Sequence, residues 1–163
     1  MVSNPWAIDD IWIALEDVKD PEIPVVSLVE LGVVRDVIME DERVVVKMTP
    51  TFSGCPALEV MAADVKSHLQ RLGVGPVSVE WIYHPPWSSN WIVPAARKRM
   101  KKFGLAPPAI HNGDFQVVLL EPTQCPRCDS MRTSLTNSFG STPCRMIFVC
   151  LACREPFETF KPL

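Results

Sequence analysis

The chain has 163 residues, 47% of them hydrophobic and 21% charged, which suits a globular domain of ordinary size with room for a small second one and excludes a disordered chain. Its formal net charge of −3 gives no whole-molecule attraction to polyanions, and no run of about 18 uncharged apolar residues is present to cross a membrane. Its first residues lack the basic and apolar regions of an export signal, so a cytoplasmic protein is expected.

The small total charge hides a division. Residues 1–84 carry 6 Lys and Arg against 14 Asp and Glu, whereas residues 85–163 carry 10 against 5. We therefore expect two differently built parts, 1–84 and 114–163, joined by a structured linker at 85–113.

The spacing of Ile8, Ile11, Trp12, Leu15 and Val18 predicts a first helix within Ser3 to Lys19. Pro21 and Pro24 end it, since each restricts the residue before it and lacks a donor. Val33 to Met39 and Val44 to Met48 read as two strands around the polar Glu40-Asp41-Glu42-Arg43. A loop containing Cys55 follows. Pro56 to about Leu72 reads as a second helix that Gly73 stops, and Val77 to Ile82 as a third strand.

In the linker, His84-Pro85-Pro86-Trp87 cannot form a regular element, Pro94 can open a short basic helix, and Gly104 to Pro108 breaks it. Phe115 to Leu120 begins a last unit, in which Arg132 to Thr136, Arg145 to Val149 and Glu155 to Phe160 read as three strands. The fold class expected is α+β: a small α-β-β-α-β domain, the linker, and a three-stranded ribbon.

The strongest chemical signal lies in that ribbon. Cys125-Pro126-Arg127-Cys128 and Cys150-Leu151-Ala152-Cys153 are separated by 21 residues. Two such turns can close a tetrahedral cage of four thiolates, which suits structural zinc and which iron can also occupy; a redox dithiol is the remaining reading. About 50 residues bury little core unaided, so metal binding is expected to be part of folding. Cys144 reads as a small buried residue or as an alternative ligand.

With Pro56 as the first helical residue, Cys55 would be the helix N-cap, where free amides and the helix dipole lower a thiol pKa. A reactive or metal-ligating thiol and an inert buried one both fit the residues alone. His68, His84 and His111 are lone histidines and are not expected to be ligands. Trp87 and Trp91 suit a docking surface or a hydrophobic latch between the two parts, and the basic run Arg97 to Lys102 suits a solvated helix face.

Asp20-Pro21-Glu22-Ile23-Pro24-Val25, Glu30-Leu31-Gly32-Val33-Val34 and Thr49-Pro50-Thr51-Phe52-Ser53-Gly54-Cys55-Pro56 resemble the successive signatures of the SufT/MIP-type iron-sulfur assembly domain. The segments Pro85 to Trp91 and Arg99 to Pro108, the paired cysteines and Phe139 to Cys144 further resemble the PaaD family, small subunits encoded with phenylacetyl-CoA epoxidase.

The resemblance implies an accessory maturation subunit in aerobic phenylacetate degradation and not a catalyst. It makes Cys55 the thiol that handles iron or a [2Fe-2S] cluster, and puts Asp20, Glu22 and Glu30 near it in a supporting metal or hydrogen-bonding role; a capping role suits these acids equally. The implied partners are a di-iron oxygenase and its flavin and [2Fe-2S] reductase, with Trp87 and Trp91 as contact residues. A homodimer stays open. The competing reading is a structural or electron-transfer component of the oxygenase with iron in the four-thiol cage. A nucleic-acid-binding ribbon ranks last.

Overall fold

The computed structural model describes residues 6–113 and 121–163, which form two compact units, Met1–Trp87 and Ser88–Leu163. The sequence-predicted start of the first helix at Ser3 and the strand-like run Phe115 to Leu120 lie outside the described residues.

The first unit contains α1 (Ile8–Leu15), β1 (Val34–Glu40), β2 (Arg43–Met48), α2 (Leu58–Arg71) and β3 (Val77–Trp81), the expected α-β-β-α-β order. Both helices are amphipathic. α1 buries Ile11, Ala14 and Leu15, and α2 buries Met61, Val65 and Leu69 at helical spacing. β1 and β2 are antiparallel, joined by Asp41 and Glu42 with φ of 45° and 69°. Positive φ at both central residues gives the tight turn the twist that a two-residue hairpin needs. β3 lies parallel to β2 after the α2 crossover, so β2 is the central strand. Val44, Val45 and Val46 are all fully buried, which means that both faces of this strand are covered.

Between α1 and β1 the chain forms a pinned loop. Asp20 N–H donates to the Val26 carbonyl, and Leu28 N–H to that of Val18. Asp20 Oδ1 accepts from the backbone of Glu22 and of Ile23, both at 2.8 Å.

The second unit contains a 3-10 turn at Ser89–Trp91, α3 (Pro94–Phe103), β4 (Leu105–Ala106), β5 (Thr133–Asn137), β6 (Arg145–Cys150) and β7 (Pro156–Phe160). The three expected ribbon strands are present. β4, read from the sequence only as a helix-breaking segment, adds a short fourth strand, and the sheet order is β4-β7-β6-β5. Gly104 makes this possible: its φ of +94° ends α3 in the left-handed conformation and turns the chain onto β7.

The core of the second unit combines Ala106, Met146, Phe148 and Phe157 with Cys125 and Cys150. Phe148 and Phe157 stack with centroids 5.9 Å apart. The metal-ligating signature and the hydrophobic core are therefore continuous.

The basic run is not a uniformly solvated face. Arg97 is half-buried and donates to the carbonyls of Ile92 at 3.1 Å, Ser89 at 2.5 Å and Pro108, tying α3 to both flanking segments. His111 is also structural: its Nδ1 accepts from Gly113 N–H at 3.2 Å, which leaves Nε2 to donate to the Leu163 carbonyl at 2.9 Å.

Candidate metal centre and assembly-domain thiol

Each cysteine pair sits on a tight knuckle, and the two knuckles are built alike. Asp129 N–H donates to the Cys125 carbonyl at 3.0 Å, and Arg154 N–H donates to that of Cys150 at 2.8 Å. In return, Cys125 N–H donates to Ser130 and Cys150 N–H to Glu155, each at 3.0 Å. The residue after each second cysteine, Asp129 and Arg154, has positive φ, 61° and 65°. That bend reverses the chain so that two sulfurs from each turn face one point.

The four sulfurs of Cys125, Cys128, Cys150 and Cys153 lie within 4.8 Å of one another. Cys125 and Cys153 are 3.8 Å apart across the knuckles, and Cys128 and Cys150 are 3.5 Å apart. A tetrahedron with metal-sulfur bonds of about 2.3 Å has sulfur-sulfur edges of about 3.8 Å, so this donor set fits a single tetrahedral ion. All four cysteines are free of disulfides.

Backbone amides prepare the sulfurs for negative charge. The Cys153 N–H is the foremost cause that brings the Cys150 thiol down to about 6, against desolvation, with help from the Ala152 N–H and the Cys128 thiol. The Ser130 N–H pulls the Cys128 thiol downward, but the neighbouring Cys150 thiol, desolvation and the other sulfurs outweigh it and push Cys128 up to about 12. A divalent ion at the centre would relieve this crowding of like charges.

The cage has an inside and an outside. Cys125 and Cys150 are fully buried, Cys153 is half-buried and Cys128 is exposed. Cys144 stands at the opposite end of β6 from Cys150, with its sulfur 3.1 Å from the Thr142 hydroxyl. Six residues of strand, about 17–20 Å, separate the two positions and remove Cys144 from the donor set.

The first unit carries the single thiol. Cys55 is not the N-cap of α2: that place falls to Ala57, and the helix starts at Leu58. Pro56 and Ala57 instead form a turn in which Leu58 N–H donates to the Cys55 carbonyl at 3.4 Å, so the thiol stands ahead of the helix. Its pKa is correspondingly raised, not lowered. Burial is the largest cause; the Ala57 N–H opposes it, and the charges of Glu22 and then Asp20 add to it.

The electrostatic reach of Glu22 and Asp20 onto Cys55 brings together the pinned loop and the segment before α2, which 32 residues separate in the chain. Glu30 has a capping duty in the same loop. It forms a reciprocal capping pair with Ser27, accepting from the Ser27 N–H while its own N–H donates to the Ser27 hydroxyl, both at 3.0 Å. Asp20 has a structural duty as well, through its two backbone hydrogen bonds. The half-buried Cys55 is flanked by Phe52, 42% exposed, whose ring lies over Gly54.

The two tryptophans belong to different units. Trp87 is 5% exposed and donates through Nε1 to the Leu31 carbonyl at 2.9 Å, a contact within the first unit. Trp91 is half-buried in the 3-10 turn of the second unit. Sequence reasoning missed Asp129 and Arg154; the signal available was their shared place directly after each Cys-x-x-Cys.

A single thiol beside carboxylates on an α-β-β-α-β unit, followed by a four-thiol ribbon, defines a two-part thiol protein with an appended metal-binding ribbon. Comparison with known proteins agrees. Residues 8–81 match the iron-sulfur cluster assembly protein family and residues 116–161 match the PaaD zinc beta ribbon domain. An Escherichia coli (strain K12) protein that bears the name of a 1,2-phenylacetyl-CoA epoxidase component is 40% identical over 96% of this chain and 94% of its own. The chain belongs to the PaaD family of phenylacetyl-CoA epoxidase components.

A Bacillus subtilis (strain 168) Fe-S protein maturation auxiliary factor is 38% identical over 79 residues, 47% of this chain and 76% of that one. A domain of unknown function from Bacillus anthracis superposes with a TM-score of 0.51 at 34% identity, covering 54% of this chain and 85% of that one. A conserved hypothetical protein of Thermotoga maritima gives the same score at 31% identity, covering 63% and 99%. The maturation factors among these relatives are auxiliary by name. No helix among the described residues is long and apolar enough to cross a membrane.

Proposed function

We propose that this protein promotes iron or [2Fe-2S] loading of the oxygenase or reductase of a phenylacetyl-CoA epoxidase-type system, with Cys55 as the thiol that handles the iron. The observation that carries the reading is the place of Cys55, whose thiol burial holds protonated, with the charges of Glu22 and then Asp20 adding to that effect. Carboxylates that disfavour a free thiolate favour an arriving cation. Cys55 therefore keeps its proton until iron approaches, and then ligates by losing that proton to solvent. The same charges leave the empty thiol a poor nucleophile toward other electrophiles.

Cys125, Cys128, Cys150 and Cys153 would hold zinc, which supplies no redox chemistry and acts here as the cross-link that completes a small core. In this reading the assembly unit is residues 1–84, and the zinc ribbon, residues 114–163, serves recognition together with Trp91. The protein works in the cytoplasm beside its clients.

The test is the iron content and turnover of the oxygenase and its reductase matured beside wild-type or Cys55→Ala protein. The variant is expected to keep its fold and ribbon zinc while its clients are under-loaded with iron. Equal loading and turnover in both preparations would remove Cys55 from the mechanism.

A further inference from the structure

The second unit carries a cationic edge that the metal cage does not use. α3 buries Ala96 and Met100 and leaves Lys98, Lys102 and Phe103 exposed, held in place by the Arg97 clamp. Lys98, Lys101 and Lys102 line a hollow of about 350 Å³ against Pro126 and Asp129 of the first knuckle. Phe103, Arg127, Ile147, Pro156 and Phe157 line an open groove of about 400 Å³ beside it. The same two segments supply both: Lys102 and Phe103 are neighbours in α3, and Pro126 and Arg127 are neighbours in the first knuckle.

Charge within this edge is unevenly compensated. Lys101 pairs with Asp129, and Arg145 with Glu158 at 2.8 Å. Lys98, Lys102 and Arg127 form no ion pair among the described residues. Arg127 lines the groove, where Phe103 is 48% exposed, and Lys98 and Lys102 line the hollow whose walls come from the same two segments. Residues 85–163 carry 10 Lys and Arg against 5 Asp and Glu, and this half stays positive after four thiolates on a divalent ion subtract two charges. The carboxylates on the same walls, Asp129 and Glu158, are each taken up by their own cation, which leaves the edge net positive, and a phosphate backbone has no apolar side chain to fill the groove.

We propose that this edge docks an acidic segment of a partner protein, with carboxylates on Lys98, Lys102 and Arg127 and one large apolar side chain in the groove beside Phe103 and Ile147. Opposite charge steers the encounter and the groove supplies the anchor. The inference is independent of Cys55.

The test uses the full-length, metal-loaded protein and fluorescence anisotropy. The probe is a labelled peptide of aspartates and glutamates flanking one phenylalanine. Its comparators are the same peptide with serine for phenylalanine, a lysine-rich counterpart and a single-stranded oligonucleotide.

The phenylalanine peptide is expected to bind about fivefold tighter than the serine peptide, and the lysine-rich one not at all. Lys98→Glu combined with Lys102→Glu is expected to weaken binding about tenfold, and Phe103→Ser to abolish the preference for phenylalanine. Metal content and melting temperature check the fold of each variant, and Lys98→Gln with Lys102→Gln replaces a variant that does not fold. Equal binding of the two acidic peptides, tighter binding of the oligonucleotide, or no binding overturns the proposal. Self-association abolished by the charge reversals overturns it in favour of a second copy of this chain. Cys55→Ala is expected to bind as wild type does, so failure here leaves the iron-loading reading untouched.

Discussion

The indole Nε1 of Trp87 donates a 2.9 Å hydrogen bond to the carbonyl oxygen of Leu31, 56 residues earlier in the chain. Leu31 is fully buried and Trp87 nearly so. The bond fastens the last residues of the first unit to the loop that precedes β1, the same loop that holds Asp20 and Glu22. Trp87→Phe keeps most of the apolar surface but strands a buried carbonyl. It is expected to lower the stability of the first unit by about 1–3 kcal/mol, measured by denaturant titration, with the metal content of the ribbon unchanged.

Cys125 and Cys150 are fully buried members of the core, whereas Cys128 is exposed. Cys125→Ser or Cys150→Ser is expected to abolish metal binding and unfold the second unit, because one change removes a ligand and disrupts the core. Cys128→Ser is expected to retain metal more weakly, with serine or water completing the shell. Metal analysis and limited proteolysis distinguish these outcomes. Chelation of wild-type protein is expected to expose the second unit to protease while α2 and its sheet stay protected.

The Cys55 thiol is raised by burial and by the charges of Glu22 and Asp20. Its alkylation, followed by peptide mass spectrometry on metal-loaded protein, is expected to accelerate at a pH above the usual thiol range. Glu22→Gln removes a negative charge that opposes thiolate formation, so it is expected to move that midpoint down. An unchanged midpoint would show that the Glu22 charge does not set the reactivity.

Glu158 accepts from the Ser141 N–H and from Arg145, and its pKa is lowered; desolvation opposes the shift, and the Ser141 N–H and Arg145 outweigh it. A carboxylate held below its unfolded value contributes stability that is full above about pH 4.5 and is lost as pH falls through the folded value. Glu158→Gln is therefore expected to destabilise the ribbon at neutral pH by about 1 kcal/mol, a difference that shrinks as the carboxylate is protonated at acid pH. Gly140→Ala acts on the same pair, since a Cβ there would stand 2.9 Å from both Glu158 Oε1 and Arg145 Cβ. It is expected to cost about 1–3 kcal/mol in a denaturation experiment.

Local order was legible in the amino-acid sequence because it is carried by near neighbours. Helical spacing in α1 and α2, apolar runs in β1 to β3, and two Cys-x-x-Cys knuckles each act over a few residues, so the α-β-β-α-β order and the four-thiol ribbon could be read directly. The setting of Cys55 could not. A proline at position 56 suggested a helix start, but the chain spends Pro56 and Ala57 on a turn, and the thiol meets Glu22 and Asp20 only because the pinned loop folds onto it. Trp87, among prolines, suited a docking surface or a hydrophobic latch alike, and only the fold shows that its indole finds a carbonyl 56 residues away. The groove of Phe103, Arg127 and Ile147 joins three separate segments, α3, a knuckle and β6. Composition and periodicity report what each segment can form, whereas desolvation, charge proximity and shape depend on which distant segments meet, and tertiary packing alone decides that.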